Sequence, residues 1–346
     1  MLPPDLTVEI AALIAAEGPI SIERFMGLAN AHYYATRDPL GAGGDFVTAP
    51  EISQMFGEMI GLALADLWDR AGRPDAAYVE LGPGRGTLAV DALRAMAVAG
   101  LRPTVHLVET SPVLRALQED RLPQARWHDT IASLPIDRPL LIVANEFFDA
   151  LPVRQFVMTQ DGWCERMMDR VDHGFVARPA MMTRNDIPAH LRDAEPGTIV
   201  EQSPAGRTIA QALAQRLVTQ GGALIIVDYG HKAGAHGDTL QAVHAHAYAD
   251  PFVDPGARDL TAHVDFAALG AAGAAGGARV TGPVAQGQWL ITLGLSDRAA
   301  ALARRAPERA EEIAAAYRRL TGADEMGELF KCMALVAPHW PNPAGF

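Results

Sequence analysis

A glycine-rich turn between an apolar strand and a helix constrains this chain more than any other feature. It closes the stretch AYVELGPGRGT, in which Tyr78 to Leu81 reads as a buried strand and Leu88 to Ala99 as a helix. Gly82, Gly84 and Gly86 alternate between the two. Such a turn lets a ligand approach the backbone where a side chain would block it. About 23 residues beyond Gly86, a second strand, Thr104 to Val108, ends in Glu109, where an acid suits the two hydroxyls of a ribose. The pair reads as a nucleoside-binding site.

The spacing narrows the choice of nucleoside. A dinucleotide fingerprint is G-x-G-x-x-G, whose third glycine packs helix against strand. Here the spacing is G-x-G-x-G, and Thr87 stands where that third glycine belongs. Glu80 adds negative charge just before the turn, where a pyrophosphate would have to sit. Acid plus glycine favours a cationic, phosphate-free ligand such as S-adenosylmethionine over a dinucleotide or a purely structural turn.

With 346 residues, the chain has room for one large α/β domain with insertions or for two domains. A formal charge of −12 argues against nonspecific affinity for nucleic-acid phosphates. Cys164 and Cys332 lie far apart in sequence and read as reduced, inert thiols. No apolar run reaches the length of a membrane span. The opening MLPPDLTVEI carries Asp5 and Glu9 and no early arginine, unlike a transit or signal peptide. The expectation is a cytoplasmic protein.

Along the chain, Leu6 to Ala16 has a helical apolar pattern that stops at Gly18-Pro19, and a second helix starts at Ser21. Tyr33 to Glu58 begins glycine-rich and polar, which reads as a connection or, given its length, as a flap over the ligand. From Thr48 or Ala49 to Arg70 the pattern predicts one long helix with Pro50 in its first turn. Regular βα alternation then predicts a doubly wound, mostly parallel α/β sheet. Its strand ends carry Glu80 and Gly82, Glu109, Asp129, and Asn145-Glu146, all on one edge.

Between Val153 and Ile199 the alternation gives way to short β-like pieces, an antiparallel β insertion. A helix from Pro204 and a strand Ala223 to Val227, ending in Asp228-Tyr229, return to the main sheet. His231 to Leu260 reads as loop, FAALGAAGAAGGARV as a small-residue helix and a turn, and Leu290 to Leu293 and Leu329 to Val336 as late strands. The predicted division is 1–75, N-terminal helices and flap, followed by a 76–346 cofactor-binding domain with insertions at about 153–200 and 231–265.

Methyl transfer from a sulfonium needs an acceptor lone pair held in line with the methyl–sulfur bond. In ANEFFDALP, Asn145 offers an amide, while Glu146 and Asp149 bring carboxylates close to the expected methyl group. If the acceptor is a guanidinium, a carboxylate can pair with it and leave one nitrogen facing the methyl. The plainer readings are a helix N-terminal acid for Glu146 and a cap or turn for Asp149. Glu201 either lines the acceptor pocket or caps the helix that follows, and Asp228 and Tyr229 are further candidates for that pocket. His244 and His246 alternate, but no carboxylate–histidine spacing completes a metal site.

These residues resemble the MidA-like class I methyltransferases, the family of the mitochondrial complex I assembly arginine methyltransferase. The resemblance is carried in order by YYATRDPLGAGGDFVTAPEISQMFGE, VELGPGRGTL, HLVETSP, ANEFFDALPVRQF, EQSPAG, VDYGH, GDTLQAVHAHAYADPF, DLTAHVDF and EMGELFK, from about Ile20 to Lys331. One departure precedes Tyr33, where ANAHYY shortens the segment leading to the lid. The resemblance implies a seven-stranded Rossmann-like sheet with an N-terminal helical lid, and S-adenosylmethionine bound by Gly82, Gly84, Gly86 and Glu109. It also implies arginine methylation of a protein partner, by similarity the large quinone-site subunit of respiratory complex I. A small-molecule acceptor, a non-catalytic assembly factor and an NAD-dependent oxidoreductase are the alternatives.

Overall fold

The strands that carry the glycine turn are buried from end to end. Ala77–Leu81 (β1) and Leu140–Asn145 (β4) have no exposed residue. Such continuous burial marks strands covered on both faces of a sheet. The structure is a computed structural model that describes residues 6–36, 48–172, 174–182, 187–244 and 247–346. Residues 37–47 of the expected flap, and His246, lie outside the described residues.

The chain divides into two compact units. The larger comprises Val47–Phe148, Arg207–Lys232 and Phe266–Phe346. Besides β1 and β4, its sheet contains Thr104–Val108 (β2), Arg126–His128 (β3), Gly222–His231 (β5), Arg279–Ala285 (β6) and Phe330–Val336 (β7). They lie in the order β6-β7-β5-β4-β1-β2-β3. The pairs β1–β2, β1–β4, β2–β3 and β4–β5 are parallel, and β7 is antiparallel to both β5 and β6. The chain leaves β1 toward β2 and later returns to β4 on the other side. The C-terminal ends of β1 and β4 therefore flank a topological switch point, where open α/β sheets bind ligands.

Helix Gln54–Arg70 packs against Thr87–Val98 within this unit, so the boundary near residue 75 is not a boundary between the two units. Close approach requires Gly61 and Gly57. A Cβ on Gly61 would lie 2.4 Å from the Ala92 carbonyl oxygen, and one on Gly57 would lie 2.7 Å from the Asp91 Cβ. Glu58 on the same helix is buried and takes hydrogen bonds from Arg298 (2.7 and 2.8 Å) and Arg94 (3.0 Å). Burial pushes its carboxyl up, but the two guanidiniums outweigh that and leave it below the ordinary range.

The smaller unit comprises Met1–Phe46, Asp149–Gly206 and Ala233–Asp265. Arg154–Thr159, Gly162–Val171, Gly174–Met182 and Ile199–Gln202 pair antiparallel, joined at one end by Ile20–Ser21. Helices Leu6–Glu17 and Ile22–Thr36 bring Ile10, Ile14, Phe25 and Met26 onto a core with Val153, Met168, Leu240 and Leu260. Asn30 is buried among them without an unmet amide. Its Nδ2 donates to the Ala150 and Leu260 carbonyls, and its Oδ1 accepts from the Leu260 N–H.

Three local readings need correction. Leu290 to Leu293 lies in a helix, Gln286–Thr292, and in Leu293, its C-cap, rather than in a strand; a four-residue apolar run does not distinguish the two by period. The missed strand is β6, whose Gly282 and Pro283 disguise it. It lies at the sheet edge, where proline is tolerated, and its register shifts between Thr281 and Val284. The long helix breaks at Ser53, which is extended at φ −164° and caps the second piece by accepting from the Met55 N–H. The expected loop also contains strands Gln241–His244 and Ala247–Ala249, and no described helix is long and apolar enough to cross a membrane.

Candidate functional site

Gly82, Gly84 and Gly86 all adopt left-handed backbone, with φ of 58°, 54° and 77°. This conformation costs a side-chain-bearing residue about 1 kcal/mol or more. Gly82 is also crowded, since an added Cβ would lie 3.0 Å from the Phe147 ring. The turn starts as the Gly82 N–H donates to the Val108 carbonyl and closes onto the N terminus of helix Thr87–Val98. Thr87, in place of the third dinucleotide glycine, donates to a Glu51 carboxylate oxygen at 2.5 Å and accepts from Arg121 at 2.7 Å. A carboxylate at this helix start repels the phosphates that a dinucleotide would place there.

Glu109 follows β2 and is buried. Its Oε1 accepts from the Thr110 and Ser111 N–H groups, both at 2.8 Å, while Oε2 has a 3.4 Å contact from Gln118. Burial raises its carboxyl pKa against the pull of those backbone donors. One oxygen is thus spent on backbone and the other is less committed, as an acceptor for ribose hydroxyls requires. Gln118, fully buried, also donates to the Gly84 carbonyl at 2.6 Å and accepts from the Trp127 indole at 2.8 Å. Sequence reasoning missed this link between turn and acid, because its partners lie on three separate elements.

Asp129 is exposed at the end of β3 and forms an ion pair with Arg115 at 2.7 Å, and Arg115 in turn donates to the Glu109 carbonyl. Glu80 is paired within its own strand. Its carboxyl is buried and accepts from the Tyr78 hydroxyl at 2.6 Å. Desolvation pushes its pKa up to about 8, so near neutrality it is chiefly a neutral acid.

The end of β4 is built differently. Glu146 is a non-glycine residue at φ 48°, a conformation that persists only where its surroundings enforce it. Its N–H donates to the Val227 carbonyl at 2.9 Å. Asp228, buried within β5, accepts from the Phe147 and Phe148 N–H groups at 3.2 and 3.0 Å and from Tyr229 N–H at 3.0 Å. The Glu146 Oε1 accepts from the Ala49 N–H at 3.0 Å and the Asn145 amide at 3.1 Å. No helix begins after Glu146, so it is not a helix N-terminal acid. The Asn145 Oδ1 is buried and lacks a hydrogen-bond partner among the described residues, an arrangement that calls for a donor from a ligand.

Asp149 and Glu201 belong to the smaller unit. Asp149 is buried in a turn, and its carbonyl accepts from the Ala262 N–H. Glu201 does not cap the next helix, because the Ser203 hydroxyl does so by accepting from the Gly206 N–H. Its carboxylate is instead held by Gln155 at 2.6 Å, the Leu240 N–H at 3.0 Å, and the Thr239 N–H and hydroxyl. Tyr229, in the larger unit, packs edge-on against Phe330 with ring centroids 5.5 Å apart.

A parallel sheet whose first strand feeds a left-handed glycine turn, with a ribose-ready acid after the second, defines a nucleoside-binding α/β protein of the methyltransferase type. A family described as "Putative S-adenosyl-L-methionine-dependent methyltransferase" matches residues 59–284, and the chain belongs to it. It is similar to protein arginine methyltransferase NDUFAF7, mitochondrial, of Xenopus tropicalis, at 36% identity over 93% of this chain and 84% of the relative. The human protein of that name is 34% identical over 94% of this chain and 82% of its own length. Among solved structures, a COG1565 superfamily member from Burkholderia thailandensis bound to S-adenosylhomocysteine matches with a TM-score of 0.87 at 30% identity. That match covers 98% of this chain and 93% of the other. The chain is an S-adenosylmethionine-dependent methyltransferase with a mixed α/β fold and a mostly parallel central sheet.

Proposed function

We propose that this enzyme methylates arginine in a protein, and that Glu146 is its acceptor-facing carboxylate. One observation carries the reading: Glu146 stands in enforced left-handed backbone at the switch point, its carboxylate anchored by a backbone N–H and a neighbouring amide. Sequence relatives named as protein arginine methyltransferases support the choice of acceptor. By the same family resemblance, the partner is the large quinone-site subunit of respiratory complex I.

S-adenosylmethionine supplies an electrophilic methyl group on a cationic sulfur. In this reading the turn Gly82–Gly86 admits the cofactor to the backbone, Glu109 takes the ribose hydroxyls, and Asp129 lies at the rim. Asn145 offers its buried carbonyl oxygen, and Glu80, chiefly a neutral acid near neutrality, lies in the strand beneath the turn. A guanidinium stays protonated near neutrality, so Glu146 acts by pairing with it, leaving one nitrogen toward the methyl, and by stabilising the charge until the proton leaves. Asp228 and Tyr229 shape the acceptor surroundings, while Asp149 and Glu201, in the smaller unit, are acceptor-side candidates by sequence position alone. Of these, Asp228 has the firmest structural duty, holding the Glu146 turn.

The reading includes a seven-stranded class I sheet, an N-terminal helical lid within residues 1–75, and a 76–346 methyltransferase domain with antiparallel insertions. The strand order supports the sheet, and the antiparallel pairing of Arg154–Thr159 with Gly162–Val171 supports the insertion. The cytoplasmic placement stands beside relatives named as mitochondrial, and fractionation of the producing cells decides between them.

The test uses methyl-labelled S-adenosylmethionine with the purified complex I subunit, read by peptide mass spectrometry. A methylated arginine, lost in Glu146→Gln while cofactor affinity persists, supports the proposal. Cofactor binding with label on another residue type, or on none, overturns the arginine assignment.

A further inference from the structure

The two halves of the site are separated in sequence by the stretch from Gly86 to Asn145, yet one short segment touches both. This is Thr48–Ile52, whose helical part is Ala49–Ile52. Its backbone reaches the end of β4, where the Ala49 N–H donates to the Glu146 Oε1 at 3.0 Å. Its side chain reaches the glycine turn, where the Glu51 Oε1 accepts from the Thr87 hydroxyl at 2.5 Å and Oε2 lies 4.0 Å from Arg85. Arg85 and Thr87 flank Gly86, and all of these residues belong to the larger unit.

We propose that Thr48–Ile52 is a clasp between the cofactor turn and Glu146, and that Glu51 is a positioning residue for methyl transfer. Two contacts made by one short segment fix its placement, because swinging Ala49 away from Glu146 requires Glu51 to leave Thr87. The bonds from Ala49 and from the Asn145 amide converge on a single oxygen, Oε1, and so set the plane of the Glu146 carboxylate. Fixing one oxygen limits how the carboxylate can turn, and such orientation is the condition for pairing with an acceptor in line. The Glu51 carboxylate contacts Thr87 and Arg85 rather than Glu146. It acts through the segment, and the side chain of Thr87 is its handle on the turn.

The kinetic part rests on the reading of Glu146 above, while the structural part does not. Hydrogen–deuterium exchange of the cofactor-free full chain tests the clasp without any acceptor. In Glu51→Ala and in Thr87→Val, the Ala49 amide should exchange about tenfold faster than in the parent chain. Glu51→Gln, which keeps an acceptor for Thr87, should remain near the parent rate. Unchanged exchange at Ala49 in both disrupting variants overturns the clasp.

The second readout is kinetic, with the complex I subunit as acceptor and S-adenosylhomocysteine affinity measured by calorimetry. Glu51→Ala should lower kcat about tenfold while that affinity and the acceptor KM stay within about threefold, with kcat restored by Glu51→Gln. A loss of affinity as large as the loss of kcat overturns the positioning role and makes Glu51 a direct cofactor contact. If the parent enzyme methylates no arginine, the exchange result still decides the clasp, and the failure belongs to the acceptor assignment.

Discussion

The glycine turn and the end of β4 perform adjoining duties but are made in opposite ways. The turn draws its shape from residues within its own few positions, three glycines in left-handed backbone between a strand and a helix. The β4 end forces a glutamate into the same region of backbone space, and the enforcement comes from Asp228 on β5 and from Ala49 in the short helix before Gln54–Arg70. Local chemistry makes the first cheap. Tertiary contacts must offset the strain of the second, which is why it is sensitive to residues distant in sequence.

Removing Asp228 should break the comparison most severely. Asp228→Ala strands the Phe147, Phe148 and Tyr229 N–H groups, at an expected cost of about 2–4 kcal/mol. Urea denaturation measures this directly; a change under about 1 kcal/mol would show that the turn holds without Asp228.

Gly82→Ala perturbs the locally built half. Its φ of 58° and the 3.0 Å approach to Phe147 predict a loss of about 1–2 kcal/mol. Cofactor affinity should fall about tenfold in calorimetry. A variant that binds as well as the parent would mean the turn has slack that its geometry does not suggest.

Glu80 sharpens the contrast through pH. Its folded pKa of about 8 lies above the ordinary 4.5, so between those values the folded chain holds a proton that the unfolded chain has released. Stability must therefore fall as pH rises through this window, and the cost is complete only above the folded value. Glu80→Gln should flatten the decline in thermal midpoint between pH 5 and 8, these limits being set at about the two pKa values. Parallel curves for the two proteins would remove Glu80 as the source.

The smallest effect is expected at the rim. Asp129 is 80% exposed in its pairing with Arg115, and such pairs contribute little in water. Asp129→Asn should change cofactor affinity by less than about threefold, and a larger loss would give Asp129 a direct hold on the ligand.

What was legible in the sequence follows the same division. Thr104–Val108 matches its expected bounds, because period and punctuation are properties of neighbouring residues. Ser53 splits a helix that its apolar pattern continues through, and β6 hides behind Gly282-Pro283. Glu201 and Asp228 show the limit more clearly. Both stand near strand ends, as a pocket acid would, and only the folded chain reveals that each is held by several bonds.

The sequence by itself determined the alternation of strands and helices, the left-handed turn after β1 and the acid after β2. Glycine content, apolar period and the spacing to Glu109 are all written within short stretches, and they restrict both fold class and ligand chemistry. Only the tertiary structure decided that Glu146 departs from helical backbone, that Asp228 braces it, and that Glu51 and Ala49 join turn to acid. Those contacts link residues from about 36 to about 97 positions apart, as long-range pairings that chain topology sets and no local propensity encodes.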